Sequence, residues 1–386
     1  MKVSVEKCED YDSIKLREVL LKSLDNIDFE FVEGSRVLIK PNVLGANEPE
    51  KGVTTHPAIL EELCKILKEH HCEIYIGDSS FADTEHALEV SGITQLSKYG
   101  KVLDFDKEPF KTFEIQNKKI NIPKILLEVD LVINFAKIKT HMFTGVTLCS
   151  KNLYGCIPGK LKGYLHKSNQ THEKLSEILI GLNDIIKPQL NFIDGIIGIE
   201  GNGPGTGGDK INAGLVLASK NIFAVDIIGT EIMGFDINSI GTNKLSGIDR
   251  DDIEVVGVNV DEVKIEFKRS SNHMQSALVF LNKFFPSPRI GFDNELCQKC
   301  HICERQCPVK VISLETLDGF PVCKNKDCIL CFCCVETCPH KAVLMKDHWS
   351  KKSARYTLEL PGKIFRKIIK KKELFEDEEK EKISKT

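Results

Sequence analysis

Residues 297–308 read CQKCHICERQCP, and residues 328–339 read CILCFCCVETCP. Each string sets its cysteines at gaps of three, three and four and closes on proline. The first holds Cys297, Cys300, Cys303 and Cys307 before Pro308; the second holds Cys328, Cys331, Cys334 and Cys338 before Pro339. The chain has 386 residues and 15 cysteines, ten of them between positions 297 and 338. The N-terminus MKVSVEKCED lacks the apolar core of a signal peptide. A cytoplasmic location is therefore the expectation, and there a dense cysteine cluster reads as metal binding rather than as disulfides.

The spacing resembles that of bacterial two-cluster ferredoxins over residues 288–346. Three cysteines at gaps of three can wrap one cubane with backbone N–H groups turned toward its sulfides. The fourth follows on a short helix that points it away. The resemblance implies two 4Fe–4S clusters. One would be held by Cys297, Cys300, Cys303 and Cys338, the other by Cys328, Cys331, Cys334 and Cys307. Structural zinc also favours paired cysteines, but it needs only four ligands, and the doubled pattern with its trailing prolines argues against it. Cys323 and Cys333 fall outside the pattern. Cys334 is preferred to Cys333 because it preserves the gap of three, and Cys323 reads as a packed thiol.

Working back from the module, the chain is too long for one ordinary core and long enough for two or three domains. At 41% apolar and 28% charged residues it is globular in composition. A net charge of −3 gives no general pull toward nucleic acid, and no apolar run reaches membrane-spanning length. RVLIKP (36–41), EIYIGD (73–78), LVINFAK (131–137), LNFIDGIIGI (190–199) and GLVLAS (214–219) read as strands. HPAILEELCKILKEHH (56–71) reads as a helix that buries Ile59, Leu60, Leu63, Ile66 and Leu67, with Pro57 in its first turn. A second helix starts near 172, with Leu175, Ile178, Leu179 and Leu182 inward. This order predicts an α/β domain with a mostly parallel sheet over 1–285, its strands buried on both faces. A small α+β ferredoxin-like domain over 288–346 follows, behind the linker FFPSPRIGFD (284–293), and then a charged tail over 350–386.

Polar strings gather at the predicted strand ends: KPN (40–42), TTHP (54–57), GDSS (77–80), KIKTH (137–141), KNLYGCIPGKLKGYLH (151–166) and DGIIGIEGNGPGTGG (194–208). In α/β folds the carboxyl ends of parallel strands form the ligand crevice. These strings resemble the domain-of-unknown-function family numbered 362, often fused to a ferredoxin module. The resemblance spans 1–285, and with the module nearly the whole chain. It implies the architecture more than a reaction.

Read on their own chemistry, Lys40, Lys137, Lys139 and Lys151 suit a cationic pocket for a carboxylate or phosphate. His56, His141 and His166 sit in three polar loops and suit acid–base or ligand roles. Asp78, Asp194 and Glu200 are carboxylate partners or ligands to a hard cation, with helix capping the alternative for Asp78. Gly203, Gly205 and Gly208 match the dinucleotide spacing, but a strand-like run follows where a helix is required. The loop is left as an anion cradle or a plain surface loop. Cys149 and Cys156 flank Lys151, which would favour a thiolate. In the tail, KIFRKIIKKK (363–372) has basic amphipathic spacing suited to an anionic membrane, but a solvated helix is the preferred reading.

The expectation is a redox protein. Two clusters would relay electrons between an external carrier protein and an anionic small molecule. Lys40, Lys137 and Lys139 would hold that molecule, His141 or His166 would move protons, and Asp78 or Glu200 would orient them. The competing expectation is a maturation or assembly factor that passes electrons or a cluster to a partner. A weaker one is a non-redox metal enzyme whose clusters only sense.

Overall fold

The computed structural model describes residues 1–270 and 289–346, apart from residues 82, 160, 169–171, 308, 315–318 and 329–331. Side chains 166–168, 333, 336, 345 and 346 also lie outside the described part, as does the whole of the 350–386 tail. The described residues fall into two units, the first within Met1–Met274 and Phe292–Val343, the second within Gln275–Gly291 and Leu344–Thr386.

The first unit is built on a nine-stranded sheet. Its strands are β1 (Lys2–Lys7), β2 (Arg36–Lys40), β3 (Glu73–Asp78), β4 (Lys101–Asp104), β7 (Leu131–His141), β8 (Gly145–Thr147), β9 (Leu190–Glu200), β10 (Asp209–Ser219) and β11 (Glu254–Gly257). β5 (Phe110–Ile115) and β6 (Lys118–Pro123) form a separate hairpin. The order across the sheet is β11-β1-β10-β9-β7-β2-β3-β4, with β8 on β7. The run β9-β7-β2-β3-β4 is parallel throughout, and β10 enters antiparallel to both β1 and β9. The sheet is thus mostly parallel, as the strand–helix–strand order implied.

Cores lie on both faces. Val37 and Ile39 of β2 face one core, and Leu38 faces the other. Helices Ser13–Asn26 and Pro57–Glu69 close the first face through Leu16, Leu20, Leu63 and Leu67. Helices His172–Ile186 and Ile222–Ile232 close the second through Leu175, Leu179, Val225 and Ile228. Every residue of β7 is buried, which explains its lack of alternation. Pro57 is the first helical residue, and the His56 ring accepts the Ala58 N–H as N-cap. Two strands run longer than their apolar runs. β7 continues through Lys139 and His141, and β10 starts at Asp209 directly after the glycine loop. No helix follows those glycines, so the dinucleotide context is absent.

The cysteine-rich part adds helices Ile302–Arg305 and Cys333–Glu336, and the antiparallel pair β13 (Ile312–Ser313) and β14 (Val322–Cys323). In the second unit the described residues belong to β12 (Arg289–Phe292) and β15 (Val343–Lys346), which pair with each other. Among the described residues no helix is long and apolar enough to cross a membrane.

Candidate functional site

Because β2, β3 and β7 run parallel, their carboxyl ends deliver Lys40, Asp78 and Lys139 to the same edge of the sheet. A cavity of about 440 Å³, partly open to solvent, lies there. Asp78, Lys139 and His141 line it, together with Lys151, Asn152 and Lys162.

Lys40 stands behind this wall. It is fully buried, and its ammonium donates to Asp78 Oδ1 at 2.7 Å and to the Pro41 carbonyl at 2.8 Å. Asp78 Oδ2 accepts the Val43 N–H at 2.7 Å, and Oδ1 also takes the Ser79 N–H. Asp78 therefore caps no helix; the following helix, Thr84–Val90, is capped by Asp83. Gly155 closes the pair from above. A Cβ there would stand 2.2 Å from Asp78 Oδ1, so only glycine admits the backbone. Three amides extend the network. Lys139 donates to Asn42 Oδ1 at 2.5 Å and to the Val53 carbonyl at 2.8 Å. Asn42 donates to Asn152 Oδ1, and Asn152 donates to Asn134 Oδ1, both at 2.8 Å. Buried polar networks of this completeness fix side-chain positions.

Lys162 was not singled out in the sequence, although it lies in the 151–166 string. It is buried, and its ammonium donates to the Ser79 carbonyl, to Ser79 Oγ at 2.8 Å and to the Ser80 carbonyl at 3.0 Å. Burial pulls its pKa down to about 8, against the opposing pull of Asp78 and Asp106. Lys151 lies over the Tyr154 ring, 4.2 Å from its centroid. His141 Nδ1 accepts the N–H groups of Phe143 and Thr144 at 3.0 and 3.2 Å. Two donors on Nδ1 place the ring proton on Nε2. Thr147 lines the cavity with a buried hydroxyl that has no hydrogen-bond partner among the described residues.

Other expected residues stand elsewhere. Lys137 is buried in a second network, donating to Asp194 Oδ2 at 2.8 Å and to the Tyr11 hydroxyl at 2.7 Å. Tyr11 donates to Asp194 Oδ1 and stacks on the His56 ring at 3.7 Å. Burial lowers the pKa of both Lys137 and His56. Glu200 pairs with Lys268 at 2.8 Å and accepts its backbone N–H, bracing the segment after Phe267. The side chain of His166 lies outside the described residues. Cys149 and Cys156 are fully buried, and burial raises both thiols, Cys156 to about 12. A thiolate is not favoured at either, despite the neighbouring Lys151.

In the cysteine-rich part, Cys297, Cys300, Cys303 and Cys338 line one cavity of about 380 Å³, walled by Phe292, Ile302, Leu314 and Val343. Four thiols facing one apolar chamber fit an iron–sulfur cluster. Of the second set, Cys307, Cys328 and Cys334 are described, and Cys331 lies outside the described residues. Cys307 Sγ accepts the Val311 N–H at 3.3 Å, the kind of contact that stabilises a thiolate ligand. Among the described residues no group of three or more His, Cys, Asp and Glu side chains closes on a single metal ion.

The glycine-rich loop joins these regions. Pro204 lines the α/β cavity. Two residues on, Thr206 Oγ1 donates to the Cys338 carbonyl at 2.8 Å. Lys341 reaches back to the Gly208 carbonyl at 3.2 Å and to Asp209 at 3.5 Å.

The chain is similar to the thylakoid-associated protein sll1697 of Synechocystis sp., at 30% identity over 247 residues, covering 62% of this chain and 77% of that protein. It also matches a ferredoxin of Methanothermococcus thermolithotrophicus, at 33% identity over 61 residues, 16% of this chain and all of the ferredoxin. Among solved structures, the lactate racemase apoprotein of Thermoanaerobacterium thermosaccharolyticum superposes with a TM-score of 0.40 at 16% identity. That match covers 60% of this chain and 56% of the other. The family described as Domain of unknown function (DUF362) matches residues 37–231, and the chain belongs to it.

Proposed function

We propose that this is an iron–sulfur redox protein that exchanges electrons with a small anionic molecule bound in the α/β cavity. Cys297, Cys300, Cys303 and Cys338 would hold one 4Fe–4S cluster, and Cys307, Cys328, Cys331 and Cys334 the other. Such clusters supply one-electron transfer at low potential. The carrying observation is the glycine loop, which borders the cavity at Pro204 and hydrogen-bonds the Cys338 backbone at Thr206.

The cavity residues suit an anion. Lys139 and Lys151 bring positive charge to the wall, and Lys162 adds to the field below about pH 8. Asn42, Asn152 and the buried Thr147 hydroxyl offer neutral hydrogen bonds at the same wall. His141 presents an Nε2 proton, suited to protonating a reduced product. Asp78 holds the floor through Lys40, Val43 and Ser79. An electron-carrier protein completes the circuit. A cytoplasmic location fits, because a reducing compartment keeps thiols available as ligands.

The test is anaerobic reduction of the loaded chain by a low-potential donor. A screen of small phosphorylated and carboxylated oxidants then follows reoxidation, compared with Lys151→Met. The expected result is an acceptor that reoxidises the wild type about tenfold faster than the variant, the rate equivalent of one charge-assisted contact. Clusters that assemble but resist reduction would sink the proposal. Stable capture of a protein partner with no small-molecule turnover would favour an assembly role instead.

A further inference from the structure

The segment 151–171 holds four lysines, Lys151, Lys160, Lys162 and Lys167, and no aspartate or glutamate. Lys151, Asn152, Tyr154, Gly155 and Lys162 of this segment line the α/β cavity. One side of the cavity is therefore built from a stretch that brings positive charge and nothing to balance it.

The strand ends opposite supply little counter-charge. Lys40, Lys139 and Lys162 are all buried. Lys40 is met by Asp78 at 2.7 Å, and that carboxylate is also held by the Val43 and Ser79 N–H groups. The three acceptors of Lys162 are the Ser79 carbonyl, the Ser79 hydroxyl and the Ser80 carbonyl, all neutral oxygens. Lys139 donates to Asn42 Oδ1 and to the Val53 carbonyl, again neutral oxygens. Asp106 stands one layer back. It accepts the Ser79 hydroxyl at 2.5 Å, the Thr84 hydroxyl at 2.7 Å and the Gly159 N–H at 2.6 Å. Asp78 and Asp106 are the carboxylates whose charge reaches Lys162. Among the described residues of this wall and the layer behind it, Lys40, Lys139, Lys151 and Lys162 thus face two carboxylates, Asp78 and Asp106. Buried charge is stable when it is paired, so the surplus marks what an occupant must bring. Burial draws Lys162 down only to about 8, so the surplus persists at pH 7.

We propose that the cavity selects dianions, such as a dicarboxylate or a phosphate monoester, over monoanions of the same size. The inference deepens the proposed function and rests on its reading of the cavity as an anion site. The Asn42 and Asn152 amides and the Thr147 hydroxyl offer the same neutral hydrogen bonds to either kind of ligand, so the lysines make the distinction. Lys162 acts through its field, because its three N–H groups are engaged by the Ser79–Ser80 turn.

The test is calorimetry on full-length oxidised protein at pH 7 and constant ionic strength, with two matched pairs of ligands. Sulfate is compared with methyl sulfate, and succinate with succinamate. The dianion should bind about thirtyfold tighter, the scale of one added charge-assisted contact. A preference within the sulfate pair alone assigns a tetrahedral, phosphate-type dianion, and one within the succinate pair alone assigns a dicarboxylate. Lys162→Met should remove most of the preference while leaving methyl sulfate affinity nearly unchanged. Lys151→Met, at a half-buried position, repeats that test if Lys162→Met fails to fold. Equal affinity within both pairs would overturn the proposal and leave the anion site standing. Variants that lose both members of a pair equally would also overturn it, since a purely structural role gives that result. Absence of binding by all four ligands would overturn the anion reading itself, and the proposal with it.

Discussion

Lys40 and Asp78 show how one buried ion pair can brace the wall of a cavity. Both are buried and 2.7 Å apart, and Gly155 lets the chain pass over them. Removing one partner of a buried pair leaves an uncompensated charge, which costs about 3–5 kcal/mol. Lys40→Met should therefore lower stability by about that amount in urea unfolding; a loss below about 1 kcal/mol would show that Asp78 relaxes to solvent. Lys162 makes a different prediction. Its pKa is lowered to about 8, so it is charged below that pH and becomes neutral as pH rises through it. Sulfate keeps its charge across this range, and its affinity for the cavity should fall as pH climbs past about 8. Lys162→Met should bind sulfate weakly and without that pH dependence in calorimetry. A pH-independent wild type would remove Lys162 from the anion field.

At the scale of elements, the short helix Cys149–Asn152 carries Lys151 and Asn152 to the cavity, and Asp226 holds its start. The Asp226 carboxylate accepts the Cys149 and Ser150 N–H groups at 2.7 and 2.8 Å. Asp226→Ala should destabilise the protein by about 2–3 kcal/mol, the scale of hydrogen bonds to a charged group. Burial raises this carboxyl to about 6, above the ordinary aspartate value. A raised carboxyl stabilises the fold most at low pH and loses that contribution as pH rises through about 6. The gap between wild type and Asp226→Ala in urea unfolding should narrow from pH 5 to pH 8. A gap that widened would contradict the assignment.

The elements also show what the sequence could and could not reveal. The apolar face Ile59, Leu60, Leu63, Ile66 and Leu67 was legible from its period, and all five side chains are buried. The run 131–137 was legible as a strand, but its continuation through Lys139 and His141 was not, because an apolar run ends at the first polar residue. Those residues stay in the strand because β8 pairs with them. Lys137 and Lys139 point to the same face, yet they meet Asp194 and Asn42 respectively. The register between β7 and β9 shifts between them, and no local pattern encodes that shift. Lys162 reaches Ser79 across 83 positions of sequence, so its place in the wall required the fold.

For the whole molecule, the glycine loop from 203 to 209 borders the candidate anion cavity and contacts the cysteine-rich part. The spacing of the cysteines was fully legible, and Cys297, Cys300, Cys303 and Cys338 line one cavity. Their relation to Thr206 was not legible, since a glycine-rich string names no neighbour. The central claim is that two iron–sulfur clusters serve the α/β cavity. It is tested most directly by anaerobic purification with iron and sulfide counts, followed by electron paramagnetic resonance of the reduced protein. The account predicts about eight irons per chain and two magnetically interacting reduced clusters. Zinc in place of iron, or a single cluster, would contradict it.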